Sequence, residues 1–267
     1  SAILDFLEGK FKLNNLRILK QFNGCCFAAL DLKQQGVIED FQLLFYIIQP
    51  PTPERVKYDI FDRVNRGGTP LNKQEMRNAL YRGRCTRMLD KLCCSPEFLI
   101  ATGRSINKER MKDQYVVLRA MAFLMLHRGE FKDIPALQYR GDIDDFLARF
   151  MVYVNDNAPE KLIVDYENLF IRCMQISYDL LGENGFRFSG NGIRRPINMP
   201  LFEALSYLFS FVPEKIDYTW VSRLILDIES VKEEFDDSRY FSGNIDSTTS
   251  VSFRFDRMDK IINRIQL

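Results

Sequence analysis

Ile60-Phe61-Asp62-Arg63-Val64-Asn65-Arg66-Gly67-Gly68-Thr69-Pro70-Leu71-Asn72-Lys73-Gln74-Glu75-Met76-Arg77-Asn78-Ala79-Leu80 reads as one helix end, a double-glycine turn and a new helix start. Gly67 and Gly68 accept φ > 0 and let a ligand come close to the backbone. Asn72 is a good N-cap, and Glu75 three residues later completes a capping-box pattern. The free N–H groups of the new helix, with Arg63, Arg66 and Arg77 nearby in sequence, suit an anion such as a phosphate.

Outward from this stretch the chain is mostly helical by pattern. Val56, Ile60, Phe61 and Val64 make an apolar face before the turn, and Met76, Ala79 and Leu80 make one after it, up to Gly83. Residues 108–128, 142–154 and 160–181 carry the same spacing, as do Phe202, Leu205, Leu208, Phe209 and Val212. Further helices are expected from Tyr218 to Glu234 and at the C-terminus, where Phe255, Met258, Ile262 and Ile265 form a stripe. The first 50 residues mix types. Residues 2–9 predict a short helix ending at Gly9. Residues 16–19 and 41–48 predict strands, the second a continuous apolar run suited to a buried strand. Asn23-Gly24 marks a turn between them, Pro50-Pro51 ends the second, and Thr52-Pro53 opens a helix. Residues 186–200 and 236–252 read as loops. The expected organisation is a small mixed subdomain over residues 1–80 and a helical subdomain over residues 81–267.

Composition narrows the function classes. Of 267 residues, 46% are hydrophobic, enough for a sizeable core, and the net charge of +1 gives no global field for nucleic acid. Any such binding needs a local patch. No apolar run approaches the ~20 residues that span a bilayer, and residues 1–10, from Ser1 to Lys10, look like an amphipathic helix and not a signal peptide. The six cysteines include two adjacent pairs, Cys25-Cys26 and Cys93-Cys94, which do not match zinc-ligand spacing. They are expected as reduced thiols in a cytoplasmic protein. The one histidine, His127, reads as the end of a helix without a catalytic role, and its being single excludes multi-histidine metal sites.

Gln74, Arg77, Asn78 and Tyr81 fall at i, i+3, i+4 and i+7, on one helix face opposite Met76 and Leu80. Two amides, a guanidinium and a phenol can bind phosphate, sugar or base edges, or simply form a solvated polar face. Arg63, four residues after Asp59, has an ordinary helix-surface ion pair as its bland role. Asn65 has helix capping. The window from Asn72 to Lys112 holds ten Lys/Arg against four Asp/Glu, while Pro213 to Tyr240 holds four against eight. The basic window either tracks a phosphate backbone or pairs with the acidic stretch inside the fold. Arg254, Arg257 and Arg264 share a helix face that reads as solvated. Ser247-Thr248-Thr249-Ser250 before it has helix capping as its plain role.

The pattern Phe61-x-Arg63-x-Asn65-x-Gly67-Gly68-x-Pro70-Leu71-Asn72-x-Gln74-Glu75-x-Arg77-Asn78 resembles the ParB/sulfiredoxin-like domain at the N-terminus of GmrSD-type, modification-dependent restriction enzymes. The likeness is weaker at Gly24-x-x-Phe27 and Arg195-Pro196-Ile197-Asn198 and diffuse elsewhere. It implies an α+β, mostly helical protein: the remnant of a ParB-like α/β core followed by a helical bundle. It implies nucleotide-dependent DNA processing in restriction or phage defence, with a nucleotide and a divalent metal held by the intact family member. It also implies ligand- or phosphate-binding roles for Arg63, Asn65, Gly67, Gly68, Gln74, Arg77 and Asn78. The family's Asp-Gly-Gln-Gln-Arg signature normally stands just before a helix like residues 1–11, which places the main catalytic residues ahead of Ser1. No such run occurs downstream. The expectation is therefore a chain cut after its main catalytic motif, holding no metal or nucleotide and inactive alone. The implied partners are DNA and another protein chain covering an exposed sheet edge, with no membrane. A non-enzymatic helical module that binds nucleic acid or protein is the alternative.

Overall fold

The computed structural model describes residues 2–45, 47, 49, 54–65, 70–190, 194–213, 218–241 and 243–265. The chain divides into two compact units, residues 1–52 and 53–267.

In the first unit, α1 (Ala2–Leu7) buries Phe6. Its ring meets Phe11 at 5.5 Å and Phe27 at 5.9 Å. The helix expected at the start of the chain is therefore present, while Ser1 itself lies outside the described residues. The Asn23-Gly24 turn forms as the sequence predicts: Gly24 takes φ 86°, a left-handed value that suits a residue without Cβ. α2 (Leu32–Glu39) is opened by Asp31, whose side chain accepts from the Gln34 N–H at 2.8 Å.

The two predicted strands are not there. No β-strand occurs among the described residues, so the α/β core implied by the resemblance is corrected to a helical fold. Among the described residues there is no sheet edge of the kind implied for a partner chain to cover. The reason is a missing ladder. The Leu16 N–H donates to the Asn23 side chain at 2.8 Å instead of to a neighbouring strand, and Ile18 is 92% exposed. Residues 41–45 follow no regular structure, and Phe41, Leu44 and Phe45 lie exposed. Two short apolar segments without further strands are marginal in water. Tyr46, Ile48 and the predicted cap at Thr52-Pro53 lie outside the described residues.

The second unit is built from α3 (Glu54–Asn65), α4 (Lys73–Leu80), α5 (Arg84–Cys93), α6 (Pro96–Ala101), α7 (Lys112–His127), α8 (Ile143–Asp156), α9 (Glu160–Leu181), α10 (Met199–Phe209), α11 (Tyr218–Asp236) and α12 (Thr248–Ile265). α7 and α10 are its central rods. They pack against each other, and α10 also touches α9 and α12. Every residue from Pro200 to Phe209 is buried, as is every residue from Val116 to Met125. Helices apolar on nearly all sides belong inside a bundle. The amphipathic α5 lies against α7 and α8, α6 against α9, and α11 against α12. α7 begins four residues later than its apolar pattern predicts. Arg110 and Met111 take φ 56° and 58°, which breaks the helix there. Arg110 instead reaches back to the Pro70 carbonyl at 2.6 Å and the Glu75 carboxylate at 3.0 Å.

Three charges sit inside this apolar packing. Glu203 of α10 is fully buried and accepts from the Nε of Arg119 on α7 and, at 2.9 Å, from the Nη2 of Arg254 on α12. Arg119 also donates to Asp246 at 2.6 Å, and Arg254 to the Ile245 carbonyl at 2.6 Å. Burial works against the charge on Arg119, but the Glu203 and Asp246 carboxylates outweigh it and push its pKa well up. Arg254 goes the other way: burial and the nearby Arg119 charge lower it, against the pull of Glu203. Arg254 is thus not on a solvated face. Arg257 and Arg264 are at the surface, paired with Glu234 and Asp227.

His127, at the end of α7, stacks on Phe255 with ring centroids 3.5 Å apart and planes 9° from parallel. Burial, helped by the Arg254 charge, lowers its pKa to about 3. The folded protein therefore refuses a proton that the unfolded chain accepts below its ordinary value of 6.5. The sign follows: stability from this group is complete above that value and falls as pH drops towards about 3. The expected slope is roughly 1.4 kcal/mol per pH unit. Urea denaturation across this window should show that loss in the parent protein and not in His127→Gln. Equal pH profiles for the two would reject the buried neutral imidazole.

Candidate functional site

The start of α4 is as its sequence dictates. The Asn72 Oδ1 accepts from the backbone N–H groups of Gln74 at 2.8 Å and Glu75 at 2.9 Å, and Glu75 accepts from the Asn72 N–H at 2.6 Å. This capping box satisfies donors that would otherwise be free at a helix start. The Arg110 guanidinium, with the Asn72 N–H, holds the Glu75 carboxyl below the usual carboxylate range.

The polar face of α4 is turned inward. Gln74 and Arg77 are buried, Arg77 to 1% exposure. Gln74 donates to Asn78 at 2.8 Å, and Arg77 donates through Nε to Gln74 at 3.1 Å and through Nη1 to Asp144 of α8 at 2.8 Å. Asn78 donates to Gln114 of α7, which in turn donates to Asp90 of α5 at 2.7 Å. The Arg77 guanidinium lies 5.3 Å from the Tyr115 ring centroid. Burial works against a charge on Asp144, but hydrogen bonds from Lys73 and Arg77 outweigh it and keep its carboxyl below the ordinary range. The array joins α4, α5, α7 and α8. One donor group in it, the Arg77 Nη2, is buried without a hydrogen-bond partner.

The sequence-predicted residues are thus partly brought together. Gln74, Arg77 and Asn78 form one connected group. Arg63 is exposed on α3. The Asn65 side chain and the whole of Gly67 and Gly68 lie outside the described residues, as does Ser1, ahead of which the resemblance puts the catalytic motif. Gln114, Asp90 and Asp144, which complete the group, carried no signal at the sequence level, because they come from three other helices.

A cleft of about 840 Å³ opens beside the group, lined by Asp59, Tyr81, Asp142, Asp144, Asp145 and Arg149 among others. Arg63, Gln74, Arg77 and Asn78 do not line it, and four carboxylates face it against one guanidinium. That charge balance disfavours a phosphate there. Among the described residues no group of three or more His, Cys, Asp and Glu is arranged to hold a metal ion. All six cysteines are free, and burial pushes the Cys173 thiol up to about 12, far from a reactive thiolate.

The basic window is more open. α5 buries Cys85, Met88, Leu89, Leu92 and Cys93, which turns Arg87 and Lys91 outward, one helical turn apart. Lys108 comes within electrostatic reach of Cys93, at the end of the same helix. Arg82, Arg87, Arg104, Lys108 and Lys112 are exposed. The window's ion pairs run from Lys73 and Arg77 to Asp144, Arg84 to Glu160, Lys91 to Glu167 and Arg110 to Glu75. The acidic stretch pairs with Lys232, Arg195, Arg257 and Arg264 instead. Among the described residues the two stretches therefore do not neutralise each other.

No helix of the described residues is long and apolar enough to cross a membrane. No family model, curated protein or solved structure matches the chain.

Proposed function

We propose that this chain is a helical module that binds the phosphate backbone of nucleic acid through the outer side of α5 and the turn after α6. The observation that carries the reading is a set of cations without partners. Arg82, Arg87, Arg104, Lys108 and Lys112 are exposed and make no ion pair among the described residues. Exposed cations that are not paired within the fold keep their full attraction for phosphates, and release of condensed counterions supplies the driving force. Arg87 stands on α5 itself, Arg82 just before it, and Lys108 comes within electrostatic reach of Cys93 at its end; α5 has ten residues and spans about 15 Å, the scale of a short stretch of one strand. Such contacts position a protein on nucleic acid without reading its sequence.

The test is a charge reversal. The triple variant Arg82→Glu, Arg87→Glu, Lys108→Glu should keep its helix content and melting temperature. Its affinity for a short DNA duplex, measured by fluorescence anisotropy, should fall at least tenfold, or about 1.4 kcal/mol. An unchanged affinity would remove α5 from the interface.

A second reading follows the family resemblance: a nucleotide-dependent DNA-processing protein of restriction or phage-defence type, to which this chain contributes the α4 group. What favours it is the joining of Gln74, Arg77 and Asn78 in one array with a guanidinium nitrogen left over. In that reading a nucleotide phosphate takes the free Nη2 when α4 shifts, with the nucleotide and divalent metal supplied in the intact protein.

A further inference from the structure

A second cleft, of about 650 Å³, takes its walls from α11 and from the segment that follows α9, residues 181–190 with 194 and 195. Arg187, Arg194, Arg195 and Lys232 line it, against the carboxylates of Glu183 and Glu229. Three of the four cations have a carboxylate partner. Arg194 meets Glu183 at 2.8 Å, Lys232 meets Glu229 at 3.0 Å, and Arg195 meets Asp236.

Arg187 has none among the described residues. It is 4% exposed, yet its guanidinium bonds only neutral acceptors: the carbonyls of Glu183 at 3.3 Å, Thr102 at 3.2 Å and Arg195, and the Ser105 hydroxyl. Buried charges in folded proteins are ordinarily paired, because desolvation penalises a lone one heavily. Burial lowers the Arg187 pKa, and the nearby Arg194 charge adds to this against the pull of the Glu183 carboxylate.

Donors remain for a guest. A guanidinium has five N–H groups and an ammonium three. Arg187 uses four, one from Nε, one from Nη1 and two from Nη2. Lys232, 5% exposed, uses two, to Asn184 and Glu229. Arg194 uses one, to Glu183, and sits at the rim with 44% of its side chain exposed. The cleft is polar as well as basic, with Asn184 and Ser189 in its wall.

We propose that this cleft binds a small phosphate-bearing ligand, with Arg187 and Lys232 at its floor and Arg194 and Arg195 at its mouth. A phosphate group supplies the missing counter-charge for Arg187 and several acceptor oxygens for the remaining donors. The volume lies within the range of small-molecule sites and leaves room for more than one phosphate. None of the residues lining the cleft comes from α4 or α5. Its floor residue Arg187 bonds Thr102 and Ser105 in the turn after α6, so the cleft adjoins the Arg104 end of the nucleic-acid surface, while its test uses Arg194 and Lys232, which lie outside that surface.

The test is calorimetric titration of the full chain with inorganic pyrophosphate at constant ionic strength. Binding should saturate at one equivalent, and it should weaken at least tenfold in Arg194→Ser and in Lys232→Met. Arg140→Ser, which removes an exposed cation elsewhere, should bind like the parent. Arg194→Ser alters a rim residue and so decides the matter even if Lys232→Met unfolds. No saturable binding overturns the proposal, as does equal weakening in Arg140→Ser or unchanged affinity in the folded cleft variants.

Discussion

Glu203→Ala should cost about 3–5 kcal/mol of stability, the largest effect expected from any single substitution in this protein. Glu203 is fully buried and is the shared acceptor of Arg119 and Arg254. Removing it leaves two guanidiniums in an apolar interior, with the Asp246 carboxylate hydrogen-bonded to Arg119 and, among the described residues, none to Arg254. The cost arises from charges left unpaired and not from the intrinsic strength of the pair. A second variant separates these causes. Replacing all three residues by apolar ones of similar volume, Arg119→Met, Glu203→Leu and Arg254→Met together, should recover most of the loss. Urea denaturation of the two variants measures both numbers. A Glu203→Ala loss under about 1 kcal/mol would mean that the three charges are not buried together.

Arg77→Ala should cost about 2–4 kcal/mol. The side chain is 1% exposed, so its loss opens space under α4 as well as breaking bonds. Gln74 loses its donor, the Tyr115 ring loses one of its two cations and keeps Arg119, and Asp144 keeps only Lys73. The loss stays below that for Glu203, because Asp144 is 28% exposed and water can replace part of what is removed. For a unit of this size the melting temperature should fall by about 5–15 °C. Arg77→Met keeps the stem of the side chain and should recover part of this. Under conditions where Arg77→Ala is folded, its affinity for duplex DNA should match the parent, since Arg77 is not at the surface. Full stability combined with lost nucleotide binding in the intact protein would instead favour the resemblance-based role of α4.

Local patterns carried much of the helical part of the fold. The Asn72 cap and Glu75 are three residues apart and act on each other, so their geometry follows from spacing alone. α8, α9, α10, α11 and α12 stand close to where their apolar periodicity puts them. The failures are non-local. The apolar run at residues 41–48 has the composition of a buried strand, but a strand exists only in a ladder, and composition does not say whether a ladder partner is present. The α4 polar face is legible as polar, yet its burial depends on Asp144, which lies 67 residues further on. Arg254 shares a stripe with Arg257 and Arg264, and only the carboxylate on α10 separates it from them. A signal for that did exist. Glu203 interrupts an otherwise apolar run around Phe202, Leu205 and Leu208, and Arg119 stands in another between Val116 and Phe123. Ionisable residues inside such runs are buried with a partner or not buried at all.

The charge-based reading of the surface comes down to how DNA affinity responds to salt. Each phosphate neutralised by Arg or Lys releases condensed counterions, so the slope of log Kobs against log salt counts the contacts. With Arg82, Arg87 and Lys108 engaged, the parent chain should give a slope of about −3 or steeper, and the triple Glu variant a slope nearer zero. A parent slope near zero, or the same slope in both proteins, would contradict binding through α5.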